Sequence, residues 1–537
     1  VGERMETMKK TMAVVMTLLL LIGLMPAAAM ADALADAVKM YVSADGSDDA
    51  DGLSEARPLA TLQKAAELVN RSEGENFIIY VMSDLTTNAC ARFYSKNVTI
   101  TSWGVRRTVT RGETFATLFD PARGWYNPAM IEVQTTNAPA SLTVTNLILD
   151  DAGRYAGSVF AQAISGDERE DNQIYVQDAM IASNATEKCT ITLGDGAELR
   201  NFGGMSAVRV TNAAVLKMTA GSVLTDTMSI TRVKGPKGSE GPAGAVWTQG
   251  SAFYMEKDAK ITALNGRAVY ADGGRIELDG VISGIIGNSA IWNGNSGSAL
   301  HLRNNAAGVL KENCVIEGNT GGGTAVEVTG GSFEMQKGAV IRDLTNVMGV
   351  RATNSNNVIF NGEITDLEGS NAISLNNVKA RLDAQGRIHD NECGTAVVYL
   401  RDGSELKIYG KINDNKSAVG TNCAALYIVK NGDVSHAVLE DRGEICGNVN
   451  KGTKYGSAVE VQQGTCSFTM HGGKITGNNR PMGAIQVHKG DARFIMNGGT
   501  VTENEAIGNV VAEAGVYLSD TDFPSAELKA GTLQSIT

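Results

Sequence analysis

Apolar and polar residues alternate in two late stretches, AVEVQQGTCSFTMHGGKITGN from Ala458 and AIQVHKGDARFIMNGGTVTEN from Ala484, which align without a gap 26 residues apart. Val459, Val461, Phe468, Met470 and Ile475 in the first match Ile485, Val487, Phe494, Met496 and Val501 in the second. A period of two is that of a strand, so each unit predicts three short strands. A unit of this size cannot enclose a core alone, and its apolar row must stack on the same row of the next unit. The pattern therefore predicts an all-β chain folded as a parallel solenoid.

The same register extends backward. Ala207, Ala245, Ala268, Ala299, Ala325, Gly349, Ala372, Ala396, Ala425, Ala458, Ala484 and Gly515 each open a short strand, at intervals near two dozen residues with occasional insertions. The second and fourth residues of these strands, such as Val326 and Val328 or Leu426 and Ile428, are expected to point into the core. Asn288, Asn319, Asn391, Asn415, Asn448, Asn478 and Asn504 recur shortly after an apolar strand residue. Stacked amides can hydrogen-bond from coil to coil, so these asparagines read as structural. From Phe77 to about Ser183 the strands are less regular and suit wider first coils. The insertion GPKGSEGPAGA from Gly235 holds too few G-X-Y triplets for a triple helix and reads as a loop.

The first residues differ in kind. Lys9 and Lys10 precede an apolar run from Ala13 to Met25, and small residues follow to Ala31, the pattern of a secretory signal peptide. Three regions result: 1–31, signal peptide and upstream residues; 32–76, an N-terminal strand and capping helix; 77–537, the solenoid, read as cut short because its last segment, AELKAGTLQSIT, stops where another coil is due. The expected location is secreted or cell-surface, with no membrane span once the signal is removed. A net charge of −12 argues against nucleic acid as a partner. The seven cysteines show no CxxC spacing and read as separate buried thiols, although Cys393 and Cys423 fall at nearly the same register in neighbouring units.

The mature chain opens with MYVSADGSDDADGLSEARPLATLQKAAELV, a strand, an Asp/Gly turn and, after Pro58, a helix with Leu62, Ala65, Ala66 and Val69 on one face. Such a helix would cover the open first coil. The YVS-x-DGSD-x-x-DG-L-S-x-x-x-P-x-A-T-L-Q-x-A pattern resembles the entry of secreted bacterial right-handed parallel β-helix proteins of pectate-lyase-like fold, a family that includes large cell-surface proteins without an assigned activity. The resemblance implies a single right-handed parallel β-helix of three sheets, about fifteen coils and on the order of 70 Å long. Asp45, Asp49 and Asp51 form a candidate calcium loop, but Pro58 stands where an EF-hand would place its bidentate Glu, and a solvated turn is favoured.

An enzyme on this fold would hold a polysaccharide along an outer sheet. Inverting hydrolases need two flanking carboxyl groups, and lyases need a base plus a cation. The Asp-pair, Gly-His-Gly and Arg-Ile-Lys signatures of hydrolase relatives are absent as a set. Asp150 and Asp151 are adjacent but read as turn residues, and the five histidines fall at different registers. The third position of the opening strand is expected to face solvent: Trp247, Tyr270, His301, Glu327 and Arg351, then Ser374, Val398, Tyr427, Glu460, Gln486 and Tyr517. Aromatics beside hydrogen-bonding groups suit an extracellular polysaccharide or a host or cell-surface glycan, so the first five are candidate ligand-binding residues. Two functions remain open: a structural, adhesive or glycan-binding surface protein, and a polysaccharide lyase or glycoside hydrolase.

Overall fold

The computed structural model describes residues 36–113, 119–120, 125–126, 129–152, 175–176, 179–202, 206–228, 244–287, 297–417, 424–450, 458–480, 484–506, 516–518 and 525–533. The signal segment 1–31, Asn288, Cys423 and most of the Gly235 insertion lie outside them. The protein is nearly all strand, with parallel pairing throughout its two large sheets of 28 and 16 strands. Each regular coil supplies two strand positions to the larger sheet and one to the smaller. Thr324–Thr329, Ser332–Met335 and Val340–Arg342 make one such coil. Corners between the two faces of the larger sheet are sometimes crossed by one continuous strand, as in Met348–Phe360. Below, the first face is the one containing Thr324–Thr329 and the second is the one containing Ser332–Met335.

The two founding repeats pair as their spacing predicts. Val459 lies opposite Ile485, Phe468 opposite Phe494, Met470 opposite Met496 and Ile475 opposite Val501. The rings of Phe468 and Phe494 stack at 5.9 Å and 16°. Inward rows of this kind merge into one buried apolar cluster running from Met40 to Val516. At the end of the chain Leu528 pairs with Met496 and Leu533 with Val501, the expected register, although Leu528 is 43% exposed.

The asparagines form a second interior column. In each step from Asn391 through Asn415, Asn448 and Asn478 to Asn504, the side-chain amide donates to the next Oδ1 at 2.8–2.9 Å. The backbone N–H donates to the same oxygen at 3.1–3.2 Å. The free amide hydrogen goes to a strand carbonyl, for example from Asn448 to Ile412 at 2.9 Å. Leu344 and Leu367 interrupt the column, and Asn319, just before Leu344, keeps a buried amide nitrogen without a hydrogen-bond partner among the described residues. Ile285, not Asn288, holds the rung before Asn319, to whose Oδ1 its N–H donates. The residue before each rung turns the corner with positive φ: Gly284, Gly318, Asp343, Asp366, Asp390, Asp414, Gly447, Gly477 and, as the one exception to Gly and Asp, Glu503. Glycine adopts this region without penalty, and Asp is among the few other residues that tolerate it.

The helix Leu62–Arg71 buries Leu62, Ala65, Ala66 and Val69, and Thr61 caps it by accepting from the Lys64 N–H. Among the described residues no helix is long and apolar enough to cross a membrane. Val459 is fully buried while Thr469, on the neighbouring face, points outward. Val459→Asp is expected to destabilise the protein by about 3–5 kcal/mol through an unpaired buried charge, and Thr469→Asp by less than about 1 kcal/mol. Denaturant melts of the two variants check this difference.

Candidate functional site

In-register pairing turns the third strand position into one outer column on the first face. Trp247 pairs with Tyr270, Tyr270 with His301, His301 with Glu327 and Glu327 with Arg351. All five candidate ligand-binding residues thus occupy successive rungs. The column continues through Ser374, Tyr399, Tyr427, Glu460, Gln486 and Tyr517. Toward the N-terminus it runs through Arg209 and Ala182 to Glu132 and Arg92.

Two expectations are corrected. Val398 is a buried core residue, and Tyr399 takes the outer rung. The coil carries one extra residue before its inward row, so Val397 rather than Ala396 stands where other coils place their opening alanine. Much of the column also does not face open solvent: Arg209, Trp247, Tyr270, His301, Ser374, Glu460 and Gln486 are buried, whereas Glu327, Arg351, Tyr399 and Tyr427 are half-buried. Insertions in the chain fall just before the strands of Trp247 and His301, at the corner leading onto this face.

The buried end is cationic and aromatic. The Arg209 guanidinium lies 5.9 Å from the Trp247 ring centre, and that of Arg267 lies 5.4 Å from Tyr270. Arg303 donates to the Tyr270 hydroxyl at 3.2 Å, and the rings of Tyr270 and His301 stand 5.2 Å apart. Burial, and then the charges of Arg267 and Arg303, hold the His301 imidazole well below its ordinary pKa. Its Nδ1 is 3.6 Å from a Glu327 oxygen, beyond hydrogen-bond reach, and neither it nor Trp247 Nε1 has a hydrogen-bond partner among the described residues.

Farther along, Tyr399 and Tyr427, both half-buried between the buried rungs Ser374 and Glu460, set their ring centres 5.2 Å apart at 38°, with Arg401 5.9 Å from the Tyr399 ring. Glu460 accepts from Gln462 at 3.2 Å and lies 2.8 Å from His488 Nε2. Burial, followed by the Glu460 charge, pushes the Tyr427 hydroxyl pKa up, so it stays protonated and can donate. Sequence reasoning missed Tyr399 because a single extra residue hid its register. Arg209, the third residue from the opening Ala207, was passed over although it stands in the same register as Trp247.

The carboxylates considered elsewhere have other duties. Asp48 accepts from the N–H groups of Ala60 and Thr61 at 3.0 and 3.1 Å and from the Thr61 hydroxyl at 2.9 Å, which ties the acidic loop to the helix N-terminus. Asp51 accepts from the Leu53 N–H at 3.0 Å and pairs with Arg57 at 3.2 Å. Asp45 and Asp49 are exposed, and no three His, Cys, Asp or Glu side chains among the described residues converge as a metal site. Asp150 and Asp151 are buried rather than solvated turn residues. Burial alone would raise the Asp150 pKa, but hydrogen bonds from Asn201, Arg200 and the Ala152 N–H hold it below the ordinary carboxylate value. Asp151 is paired with Arg111. Burial pushes the thiols of Cys90 and Cys189 up to about 12, so both are protonated and inert.

No family model matches the chain, and no curated protein matches it. Among the solved structures that resemble it are those of the GH136 lacto-N-biosidase from Eubacterium ramulus, as the native protein and as its selenomethionine derivative. Each is 12% identical, with TM-scores of 0.21 and 0.20, covering 91% and 92% of this chain and 68% of the other. Similarity at this level assigns neither an activity nor a residue role to this chain.

His301 provides a direct test of the buried end. A histidine held neutral in the folded state costs nothing above its unfolded pKa of about 6.5, while below it the unfolded chain gains a proton that the folded chain does not. The native protein should therefore lose up to about 1.4 kcal/mol for each pH unit below about 6.5, until the folded imidazole itself protonates. His301→Gln should remove that component, and the check is the difference in unfolding free energy between the two proteins at neutral and acidic pH.

Proposed function

We propose that the chain is an exported protein, secreted or held at the cell surface, which binds an extended glycan along its outer column as a structural or adhesive component. In this reading the body is a single right-handed parallel β-helix of three sheets, and the helix Leu62–Arg71 covers its N-terminal end. The ligand is an extracellular polysaccharide or a host or cell-surface glycan. The observation that carries the reading is the unbroken column of aromatic and hydrogen-bonding side chains, repeating about every 4.8 Å on a flat parallel sheet. Its partly accessible rungs are Glu327 and Arg351 and, past buried Ser374, Tyr399 and Tyr427, where half-buried rings can stack on sugar rings and nearby polar groups can bond hydroxyls. Trp247, Tyr270 and His301 contribute from beneath, by fixing the sheet surface and its charge.

The second reading is a polysaccharide lyase or glycoside hydrolase working on the same face, with Glu327 between His301 and Arg351 as its acid or base. Glu327 and Glu460 stand five rungs apart, about 24 Å, far more than the roughly 6.5–9.5 Å between the carboxyl groups of inverting hydrolases. That separation supports binding over hydrolysis by column carboxylates alone.

The binding reading expects Tyr427→Ala to weaken glycan affinity by about 1–2 kcal/mol with little change in Tm. Trp247→Ala, at a buried rung, should instead lower stability by about 3–5 kcal/mol. Glycan-array binding and thermal melts of both variants check the division. Release of shortened or unsaturated products, abolished by Glu327→Gln, would favour the enzyme.

A further inference from the structure

The second face of the first coils carries an aromatic ledge that the outer column does not use. Tyr41 on Val38–Val42 pairs with Tyr80 on Asn76–Val81, and their rings stack at 5.4 Å and 28°. Trp103 follows the strand Asn97–Ser102 and is placed by its N–H, which donates to the Val81 carbonyl at 2.8 Å. Its ring stands edge-on to both tyrosines, 5.6 Å and 80° from Tyr41 and 4.9 Å and 73° from Tyr80. Two rings thus hold a third in a fixed orientation, yet Trp103 remains 37% exposed. Val105, two residues on, is 65% exposed, and Leu53, 59% exposed, follows the Gly52 carbonyl that accepts from the Tyr41 N–H.

The rungs beyond the ledge are hydroxylic. The Tyr41 and Tyr80 column continues into Thr101 and Thr145, and beside it Thr99 pairs with Thr143 and Thr143 with Thr192. The alternate residues Ile100, Val144 and Ile191 are buried in the core, so these threonines project outward, each half-buried. Successive rungs are about 4.8 Å apart and successive outward positions on one strand about 6.7 Å apart, which makes a regular grid of hydroxyls adjoining the rings.

We propose that this ledge and grid form a binding site for a neutral polysaccharide, separate from the outer column. A pyranose ring has an apolar C–H face and a rim of hydroxyls, and the site offers both complements in sequence: ring surface at Trp103, then donors and acceptors at the threonines. The threonines themselves are uncharged, and the charges along their column, Lys217 one rung past Thr192 and Lys39 beyond Ile78, stand at its two ends, so recognition over the grid itself rests on hydroxyls. An apolar peptide segment laid across the same face would bury the threonine hydroxyls without partners, which is costly.

The test is titration of the full chain with cellohexaose, laminarihexaose and maltohexaose, followed by calorimetry and intrinsic tryptophan fluorescence. At least one should bind, with Trp103→Ala weakening it by roughly tenfold or more. Thr101→Val with Thr143→Val should also weaken it, while Thr469→Ala, an outward position far along the same face, leaves it unchanged. The fluorescence change lost in Trp103→Ala reports this ledge, whereas failure of the outer-column reading would appear as glycan-array binding that Tyr427→Ala does not weaken, so the two sites are judged separately. Trp103→Phe guards against misfolding by retaining a ring and part of the affinity. The proposal is overturned if none of the three sugars binds at millimolar concentration, or if Trp103→Ala binds as the native protein does. A concentration-dependent dimer lost in Trp103→Ala would also overturn it, by assigning the ledge to a second copy of the chain.

Discussion

Every feature of this protein depends on parallel hydrogen bonding between one coil and the next, in register, over the length of the solenoid. Backbone pairing fixes the rung spacing at about 4.8 Å, and side chains at equivalent positions must then stack on their own kind. Inside, this makes the apolar rows and the asparagine column, whose amides each satisfy a neighbour and a strand carbonyl. Outside, the same constraint makes columns of whatever the third position carries. Core and candidate site are therefore two faces of one pairing scheme, and a register error would disrupt both.

Burial divides the outer column into two chemical regimes. Near Trp247 and His301, aromatic rings lie under guanidinium groups and the imidazole is kept neutral by burial beside two arginines. Trp247 Nε1 and His301 Nδ1 are buried there without a hydrogen-bond partner among the described residues. Near Tyr399 and Tyr427 the rings are half-buried beside the buried polar rungs Ser374 and Glu460, and it is on these rings that the proposed glycan contact rests. Column carboxylates are too widely spaced to act as a hydrolytic pair, and this weighs toward binding as the role of the face.

The fold was legible because repetition amplifies a weak signal. Val459 and Ile485 individually say little, but their shared spacing with Phe468 and Phe494 determines both strand direction and stacking. The asparagine column was equally readable, since Asn391 to Asn504 recur at one offset from the strands. Exposure was not. Alternation shows that Trp247 and Tyr270 point away from the core, but whether other parts of the chain cover them depends on contacts that no local pattern encodes. The Tyr399 rung was lost to one extra residue, because a slip of one reverses every side chain on a strand. The ledge of Tyr41, Tyr80 and Trp103 escaped notice because these residues, far apart in sequence, meet only once irregular first coils are stacked.

The register of the outer column is the point on which the account rests, and disulfide trapping measures it. Facing positions on adjacent parallel strands lie about 4.8 Å apart, within the span a disulfide bridges. Ser374→Cys combined with Tyr399→Cys should form an intramolecular disulfide under mild oxidation, detected as a mobility shift reversed by reductant. Ser374→Cys combined with Val398→Cys should not, because one side chain points outward and the other into the core. Crosslinking of the second pair and not the first would contradict the column, and with it the surface on which glycan binding is proposed.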